Sequence, residues 1–296
     1  MVRRHLGKTK LSIELAKKID GEIISADSMQ IYKYMDIGSA KPTKDEMQGI
    51  KHYLLDFVEP NERYSVANFN KDAKKAIKDI VAKGKTPIIV GGTGLYVDSL
   101  VLGIEFEDIE IDNEYRNELE KRIENEGLES LYNEAYKIDP EATKKISING
   151  KKRIMRILEI YHKTGKTKTQ QDLESRKKEL EYDYRVFAIN IEREKLYDRI
   201  NKRVDLMIEQ GLIKEVQYLL NKYTEFPTAM QALGYKEVKR YFDGEYSKED
   251  MVEKIKMETR RYAKRQLTWF RKNKNIIWLD GLADVNDNIN KILENT

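Results

Sequence analysis

The amino-acid sequence predicts an α/β fold, in which helices flank a parallel sheet and a helical domain interrupts the core. Short apolar runs rich in β-branched residues alternate with longer stretches of helical periodicity, which is typical of buried parallel strands joined by helices. This alternation stops between residues 108 and 184, where charged helices are predicted and no strand is. We therefore expect a core formed by residues 1–107 and 185–296, and an inserted helical domain formed by residues 108–184.

Each predicted strand is a short apolar segment bounded by turn or charged residues. Apolar residues at helical spacing predict helices over 65–84 and 194–211. The chain after residue 192 is predicted to be mostly helical and to end with one last strand. Within the insertion, three helices are predicted over 113–127, 128–139 and 150–166. The predicted strands are 21–27, 52–58, 86–92, 185–191 and 275–280.

Composition narrows the class of protein. Of the 296 residues, 40% are hydrophobic and none is Cys, so a core is available, whereas a disulfide framework and thiolate metal sites are excluded. His5, His52 and His162 have no metal-ligand spacing. No apolar run approaches the roughly 20 residues of a membrane span, and the N-terminal segment lacks a signal-peptide core. We expect a cytoplasmic protein with no membrane partner.

The charge is unevenly distributed, although the net charge is only +4. Residues 105–141 carry 14 acidic and 4 basic side chains, a net of −10. Residues 151–185 carry 11 basic and 6 acidic side chains, a net of +5, and residues 254–274 carry 9 and 1, a net of +8. Solvated helix faces usually mix both signs. Two basic blocks in a nearly neutral chain therefore indicate local contact with a polyanion such as nucleic acid.

A partial phosphate-binding motif lies at the start of the chain. Gly7, Lys8 and Thr9 form the GK[ST] half of G-x-x-x-x-G-K-[ST], and a helical pattern follows. In such a loop, backbone N–H groups and the helix N-terminus hold phosphate. The first glycine would fall at position 2, where Val2 stands, so we expect the first strand and the start of the loop to be missing and activity to be weak. The alternative interpretation of GKT is a surface turn that caps a helix.

Two predicted strands end in residues suited to a ligand site. Asp27 lies at the carboxyl end of the first strand, and the third strand runs into Gly91–Gly94, which includes Thr93. Ligands of parallel α/β sheets bind at the carboxyl ends of the strands. Seen alone, Asp27 could equally be a cap, and the glycines a tight turn. Together with Lys8, we expect these groups to converge along one sheet edge.

Sequence blocks spread over nearly the whole chain carry a family resemblance. They are GKT (7–9), ISADSMQIYKYMDIGSAKPT (24–43), HYLLDFVEP (52–60), YSVANF (64–69), VGGTGLY (90–96), KRIMRILEIY (152–161), LGYKE (233–237) and KRQLTWFRK (264–272). Together they resemble the tRNA dimethylallyltransferase family. The resemblance implies a P-loop NTPase-like α/β core whose helical insertion clasps a tRNA anticodon stem-loop. It also implies transfer of a dimethylallyl group from dimethylallyl diphosphate to N6 of the adenosine 3′ to the anticodon, assisted by Mg²⁺, in a monomer.

The resemblance assigns catalytic roles to a few residues. Asp27 matches the carboxylate that orients the adenine amine and takes its proton. Lys8 and Thr9 would stabilise the leaving diphosphate, with Thr9 as the Mg²⁺ ligand. Thr93 would act beside them. The diphosphate-binding set is Gly7, Lys8, Thr9 and Lys236.

The implied tRNA contacts come from the strand ends, the insertion and the C-terminal basic helix. Thr93 and Arg116 fall at family positions near the target base, and the basic side chains would bind phosphates. Trp269 and Phe270 could stack on bases, but their helical spacing with Tyr262 and Leu267 favours a place in the core. The implied tRNA-binding residues are Asp27, Ser28, Met29, Gln30, Thr93, Arg116, Lys152, Arg153, Ile154, Met155, Arg156, Lys264, Arg265, Gln266, Thr268 and Arg271.

Three other functions stay open from the sequence. A P-loop kinase or NTPase would hydrolyse nucleotide without regard to tRNA. An adenylate-type prenyltransferase would modify free AMP, ADP or ATP, although the basic insertion and C-terminal helix favour tRNA. A tRNA-binding module with a decayed diphosphate site would bind the stem-loop without prenylating it.

Overall fold

The computed structural model describes residues 7–104, 112–175 and 180–296. The chain forms two compact units: Met1–Val97 with Tyr182–Thr296, and Asp98–Glu181. The second unit begins within a helix that starts at Gly94. The expected loss of a first strand and first loop glycine concerns residues 1–6, which lie outside the described residues, as does the 107/108 boundary.

Helices make up most of the regular structure. In chain order they are α1 (Lys8–Lys18), α2 (Lys44–Met47), α3 (Val66–Val81), α4 (Gly94–Val101), α5 (Asn113–Glu126), α6 (Leu128–Ile138), α7 (Pro140–Thr143), α8 (Lys151–Thr164), α9 (Lys168–Glu174), α10 (Arg193–Glu209), α11 (Leu212–Lys222), α12 (Tyr235–Phe242), α13 (Lys248–Phe270) and α14 (Val285–Leu293). A short 3₁₀ helix covers Ala229–Gln231.

Three parallel strands of the first unit form one sheet in the order β2-β1-β3. They are β1 (Gly21–Ala26), β2 (His52–Tyr53) and β3 (Thr86–Gly91). All six residues of β1 are buried, as expected for a parallel strand covered on both faces. β1 pairs in register with β3 along its whole length, from Gly21 opposite Thr86 to Ala26 opposite Gly91.

The last two strands, β4 (Phe187–Asn190) and β5 (Ile277–Asp280), form a second parallel sheet. Each of the five strands lies within a segment predicted from the sequence, so the α/β prediction is confirmed at the level of elements. The expectation that the chain ends on its last strand is wrong, because α14 follows β5. Asn288 on α14 is buried, and its amide donates to the carbonyl of Asp280.

The strand predicted over 52–58 is much shorter, because the backbone turns directly after Tyr53. Leu54 and Asp56 have φ values of 57° and 59°, in the left-handed region, which a strand cannot contain. The turn brings the Asp56 carboxylate within 2.6 Å of Nζ of Lys41. Lys41 is buried and also bonds the carbonyl of Tyr32, so a buried ammonium group that needs partners accounts for the departure from strand geometry.

A large core of the first unit fixes the segment that follows β1. Ile31, Tyr32 and Met35 are fully buried in it, among apolar residues of α10, α11, α12 and α13. The carboxylate of Glu215 on α11 accepts backbone N–H groups from residues 36, 37 and 38 of the same segment. The chain beyond Asp27 is therefore held from both its apolar and its polar side.

The second unit is helical in its described part, 112–175, where it has no strand. The three predicted helices are present as α5, α6 and α8, with α7 and α9 as short additions. Apolar residues at positions i, i+3 and i+4 of α8, such as Ile154, Ile157 and Leu158, pack with Leu119 and Leu131 into a core of this unit's own. None of the helices in the described ranges combines the length and apolar composition of a membrane span.

The core of the second unit is expected to be sensitive to truncation. Leu131→Ala removes a side chain that is fully buried and should lower the free energy of unfolding by about 2–5 kcal/mol. Leu173→Ala is the matched control, since this leucine of the same unit is 61% exposed and its loss should cost within about 0.5 kcal/mol. Urea unfolding followed by circular dichroism measures both, and equal midpoints would contradict the assignment of this core.

Candidate active site

The carboxyl ends of β1 and β3 approach each other as closely as backbones can. A Cβ atom placed on Gly91 would lie 2.0 Å from the carbonyl oxygen of Ala26, so only glycine fits there. The ladder continues past the strands, because the N–H of Thr93 donates to the carbonyl of Ala26 at 3.2 Å. The two loops that follow the strands are thereby locked side by side.

Thr93 then joins the two loops through its side chain. The backbone N–H of Ser28 donates to Oγ1 of Thr93 at 3.0 Å, and the Thr93 hydroxyl lies 3.3 Å from Oγ of Ser28. Ser28 is the residue directly after Asp27. The Thr93 hydroxyl is therefore fixed beside Asp27 by backbone geometry and not by a mobile side chain.

Asp27 forms a turn with its own backbone. Its Oδ1 accepts the N–H of Met29 at 2.9 Å and that of Gln30 at 3.4 Å, which is the pattern of an Asx turn. These bonds orient the carboxylate. Because they engage Oδ1, Oδ2 is the oxygen suited to accept a proton from a ligand.

Lys8 approaches the same place from the first turn of α1. Gly7 caps this helix in the left-handed conformation, with φ of 71°, and Lys8 is the first helical residue. A Cβ atom on Gly92 would lie 3.5 Å from Nζ of Lys8, so the ammonium group sits over the glycine turn after β3. Lys8, Asp27 and Thr93, which the sequence places far apart, are thus brought together.

The surroundings of Lys8 lower the pKa of its ammonium group. Burial lowers the pKa of Lys8; the Asp27 carboxylate opposes this shift and the charge of Arg203 adds to it. Two nearby cations and one carboxylate leave a net positive charge. An anion bound beside Lys8 would raise its pKa again, so the site has physical reason to bind one.

Helix α13 closes the site from the side of β3, through three residues on one helical face. Nε2 of Gln266 donates to the carbonyl of Gly92 at 2.6 Å. The phenol of Tyr262, one turn earlier, lies close to the side chains of Thr93 and Gln266. The indole of Trp269 lies against Gly94, where a Cβ atom would be 2.5 Å from Cδ1 of the ring.

These contacts bear on two expectations for α13. The amide of Gln266 bonds the backbone of the glycine turn, and its predicted tRNA contact stays a prediction. The sequence favours a place in the core for Trp269, but this side chain is 38% exposed and covers the surface of Gly94. Both contacts depend on which residues of the glycine turn lie opposite α13 in the fold, and helical spacing within α13 does not show this.

Sequence reasoning misses two groups of the site. Tyr262 is predicted only as a core residue, yet burial together with the Asp27 charge raises its pKa, so its phenol keeps its proton at neutral pH. Its spacing of four from Gln266 is a usable signal, since such pairs share a face. Arg203 lies on α10, and the amphipathic sequence pattern of this helix does not distinguish it from other surface arginines.

Gln30 is predicted to line a base pocket, and in the structure its amide forms hydrogen bonds within the protein. Its Oε1 accepts the hydroxyl of Ser25 at 3.1 Å, and its Nε2 donates to the carbonyls of Ser39 and Ala40. This side chain therefore ties β1 to the loop held by Glu215. Met29 packs against the large core of the first unit.

The residues present are compatible with Mg²⁺ held mainly by a substrate. In the described residues, no group of three or more His, Asp or Glu side chains is arranged to hold a metal. Thr9 lies exposed in the first turn of α1 and offers a hydroxyl. Mg²⁺ commonly keeps several waters and binds through one or two protein oxygens and substrate phosphates, so a single hydroxyl beside a phosphate site suits it.

The predicted residues of the second unit fall into two groups. Lys152 and Arg153 are exposed on α8, and Arg156 is half-buried, so these remain predicted RNA contacts. The prediction that Ile154 and Met155 bind tRNA as well is wrong for their side chains, which are 0% and 4% exposed in the core of this unit. The helical repeat turns the middle of KRIMR inward.

The other predicted cations have definite surroundings. Lys236 on α12 is 3.5 Å from the buried carboxylate of Glu237. Arg265 is exposed and lies over the ring of Tyr262, with 5.7 Å between the guanidinium carbon and the ring centroid. The remaining predicted residues of α13 and its C-terminal end are exposed and stay predictions: Lys264, Thr268 and Arg271.

Comparison with known proteins decides the family. The model of the IPP transferase family matches residues 30–273. The chain belongs to the IPP transferase family. The matched range contains Thr93, Arg116 and the α13 residues that close the site, whereas Lys8 and Asp27 precede it.

Relatives of this family are similar over nearly the whole chain. A tRNA dimethylallyltransferase of Acetivibrio thermocellus is 52% identical over 290 residues, which cover 98% of this chain and 92% of that protein. The crystal structure of a tRNA isopentenylpyrophosphate transferase from Bacillus halodurans has a TM-score of 0.72 at 42% identity, covering 98% of this chain and 91% of that one. A eukaryotic dimethylallyltransferase acting on tRNA has a TM-score of 0.77 at 31% identity, covering 97% and 75%.

The close approach of β1 and β3 is testable with a pair of glycine variants. Gly91→Ala places a methyl group against the backbone of Ala26, which cannot move aside, and should lower the free energy of unfolding by about 1–3 kcal/mol or more. Gly92→Ala is the matched control, because its methyl group meets the ends of the Gln266 and Lys8 side chains, which can swing away, and no backbone atom.

Thermal unfolding of both variants measures the difference. We expect a clearly lower midpoint for Gly91→Ala than for Gly92→Ala. Equal midpoints would show that the strand ends have room to separate.

Proposed function

We propose that this chain transfers a dimethylallyl group from dimethylallyl diphosphate to N6 of the adenosine on the 3′ side of the anticodon in tRNA. One observation carries the proposal: Lys8, Asp27 and Thr93 converge at the carboxyl ends of β1 and β3 in a member of the IPP transferase family. A cation for a diphosphate and a carboxylate for an amine are the two groups that this reaction needs.

Asp27 handles the amine in this proposal. An exocyclic adenine amine is a weak nucleophile, because its lone pair is delocalised into the ring. Oδ2 of Asp27 accepts one N–H, orients the nitrogen and takes the proton as the bond forms. The N6–C1 bond forms, the C1–O bond of the dimethylallyl diphosphate breaks, and the electron pair leaves with the diphosphate.

Lys8 and the N-terminus of α1 stabilise the leaving group. Charge grows on the diphosphate as the C1–O bond breaks, and the Lys8 ammonium, the Arg203 charge and the helix N-terminus are fixed in advance to receive it. Thr9 would hold Mg²⁺, which supplies further charge stabilisation on phosphate oxygens. Thr93 and Tyr262 hold the wall beside Asp27.

The RNA is proposed to bind through the exposed basic residues. Lys152 and Arg153 on α8, with Arg265 and Arg271 near the end of α13, carry the charge that phosphates require. The target base must leave its stack to reach Asp27, at a cost of a few kcal/mol that backbone contacts offset. One chain supplies all of these groups, so we propose a monomer that acts where tRNA is found, in the cytoplasm.

Prenyl transfer to an unmodified anticodon stem-loop tests the proposal. The chain, dimethylallyl diphosphate, Mg²⁺ and the stem-loop are mixed, and the mass of the RNA is followed. We expect the gain of one dimethylallyl group. Asp27→Asn should lower the rate by about 10²–10⁴-fold, the usual contribution of a general base, whereas Asp79→Asn, on the exposed face of α3, should leave it unchanged.

The outcomes separate two failures. A wild-type rate in Asp27→Asn would contradict the assignment of Asp27 as the base, while the proposed reaction would still stand. Stem-loop binding without any gain in mass would overturn the proposed reaction in favour of RNA binding alone, and nucleotide hydrolysis independent of RNA would favour an NTPase.

A further inference from the structure

A buried carboxylate lies under the RNA-facing residues predicted for the second unit. Glu159 on α8 is only 5% exposed. Glutamate is almost never buried unless it is paired. Glu159 lies one turn after Arg156, on the helix that also carries Lys152 and Arg153. Its ion-pair partners therefore affect the positions of the cations on this helix.

The first partner is Arg116 on α5. Its Nε donates to Oε1 of Glu159 at 2.7 Å, and its Nη2 lies 2.6 Å from the same oxygen. The side edge of the guanidinium therefore faces the carboxylate. Since arginine carries five N–H donors in one plane, the end of the group, with Nη1, can serve a second acceptor.

The second partner is Arg156, on the same helix as Glu159. Its Nη1 lies 3.7 Å from Oε2 of Glu159, too far for a hydrogen bond. That oxygen is buried and has no hydrogen-bond partner among the described residues. One carboxylate thus sits between two guanidinium groups, with a net charge of about +1 on the three side chains at neutral pH.

Stability alone does not account for this arrangement. Taking a carboxylate out of water costs much of what its ion pairs return, so a buried pair is a weak stabiliser. Arg116 and Arg156 are each more than one third exposed at the side chain, so their charges still reach the solvent. The carboxylate hydrogen-bonds Arg116 and lies within ion-pair distance of Arg156, while the exposed parts of both guanidinium groups remain open to the solvent.

We propose that Glu159 is a positioning residue that fixes Arg116 and Arg156 side by side so that both bind phosphate groups of the RNA. The inference rests on the proposed function, because it takes the tRNA stem-loop as the ligand. It assigns no chemistry to Glu159, which acts through the two arginines. Without the carboxylate, Arg116 loses the hydrogen bond that orients its guanidinium and Arg156 loses the charge that attracts it, so both side chains have to be ordered during binding.

Binding of an unmodified anticodon stem-loop tests this inference, because simple electrostatics predicts the opposite result. Glu159→Gln removes one negative charge from a surface that binds a polyanion, so charge alone predicts tighter binding. Loss of positioning predicts weaker binding. Glu134→Gln is the matched control: Glu134 also belongs to the second unit and pairs with an arginine, Arg122, and its change removes the same charge.

We expect Glu159→Gln to weaken stem-loop binding about tenfold, the loss of about one charge-assisted hydrogen bond. The slope of log Kd against log salt concentration should fall in magnitude by about 0.7–0.9 for one lost phosphate contact. In prenyl transfer, KM for the stem-loop should rise while kcat stays near that of the wild type. Glu134→Gln should bind as tightly as the wild type or more tightly.

A double-mutant cycle separates positioning from a general effect on folding. If Glu159 acts through Arg116, Glu159→Gln should have little further effect on binding in an Arg116→Met background. A purely structural role would weaken both backgrounds equally and would leave the salt slope unchanged. Glu159→Asp keeps the charge but shortens the side chain, and should also weaken binding, which covers the case in which the glutamine variant does not fold.

Two results would overturn the inference in distinguishable ways. If the wild type does not bind the stem-loop, the proposed function and this inference fail together. If the wild type binds, and Glu159→Gln and Glu159→Asp bind as tightly as Glu134→Gln with the same salt slope, the positioning role alone is wrong.

Discussion

The parallel pairing of β1 and β3 is the constraint on which the site depends. Six consecutive residue pairs, ending with Ala26 opposite Gly91, bring the two strand ends level. The missing Cβ of Gly91 lets the backbones meet, and the next hydrogen bonds, from Thr93 to Ala26 and from Ser28 to Thr93, continue the same contact into the loops. A shift of one residue would move Asp27 away from Thr93 and end this arrangement.

Other elements add to that framework from three directions. α1 brings Lys8 over the turn after β3, α13 covers the turn with Tyr262, Gln266 and Trp269, and the large core holds the chain beyond Asp27. Each of these side chains is positioned by a helix or segment that is stabilised by contacts outside the site. The candidate reacting groups therefore lie together without rearrangement, which is the preorganisation that transition-state stabilisation requires.

Sequence reasoning reaches the elements and points to the candidate reacting groups, because both leave local signals. Buried strands, helical periodicity, GKT and GGTG can each be read within a few residues. It fails where a partner distant in sequence decides the outcome. The strand predicted over 52–58 is replaced after Tyr53 by a turn whose Asp56 pairs with the buried Lys41. The hydrogen bond from Gln266 to Gly92 joins residues far apart in the sequence. Met155 is buried in a core, which is not evident when KRIMR is interpreted as a basic block. Arg203 and Tyr262 join the site only through the packing of α10 and α13.

The central claim is that Asp27 receives the amine at the point where β1 and β3 end. The most direct measurement is the crystal structure of this chain with an anticodon stem-loop and an unreactive thio analogue of dimethylallyl diphosphate. The account predicts N6 of the target adenosine within about 2.6–3.2 Å of Oδ2 of Asp27, with the diphosphate against Lys8 at the start of α1. An adenosine whose N6 contacts another group, with Asp27 still turned toward its own backbone alone, would contradict it.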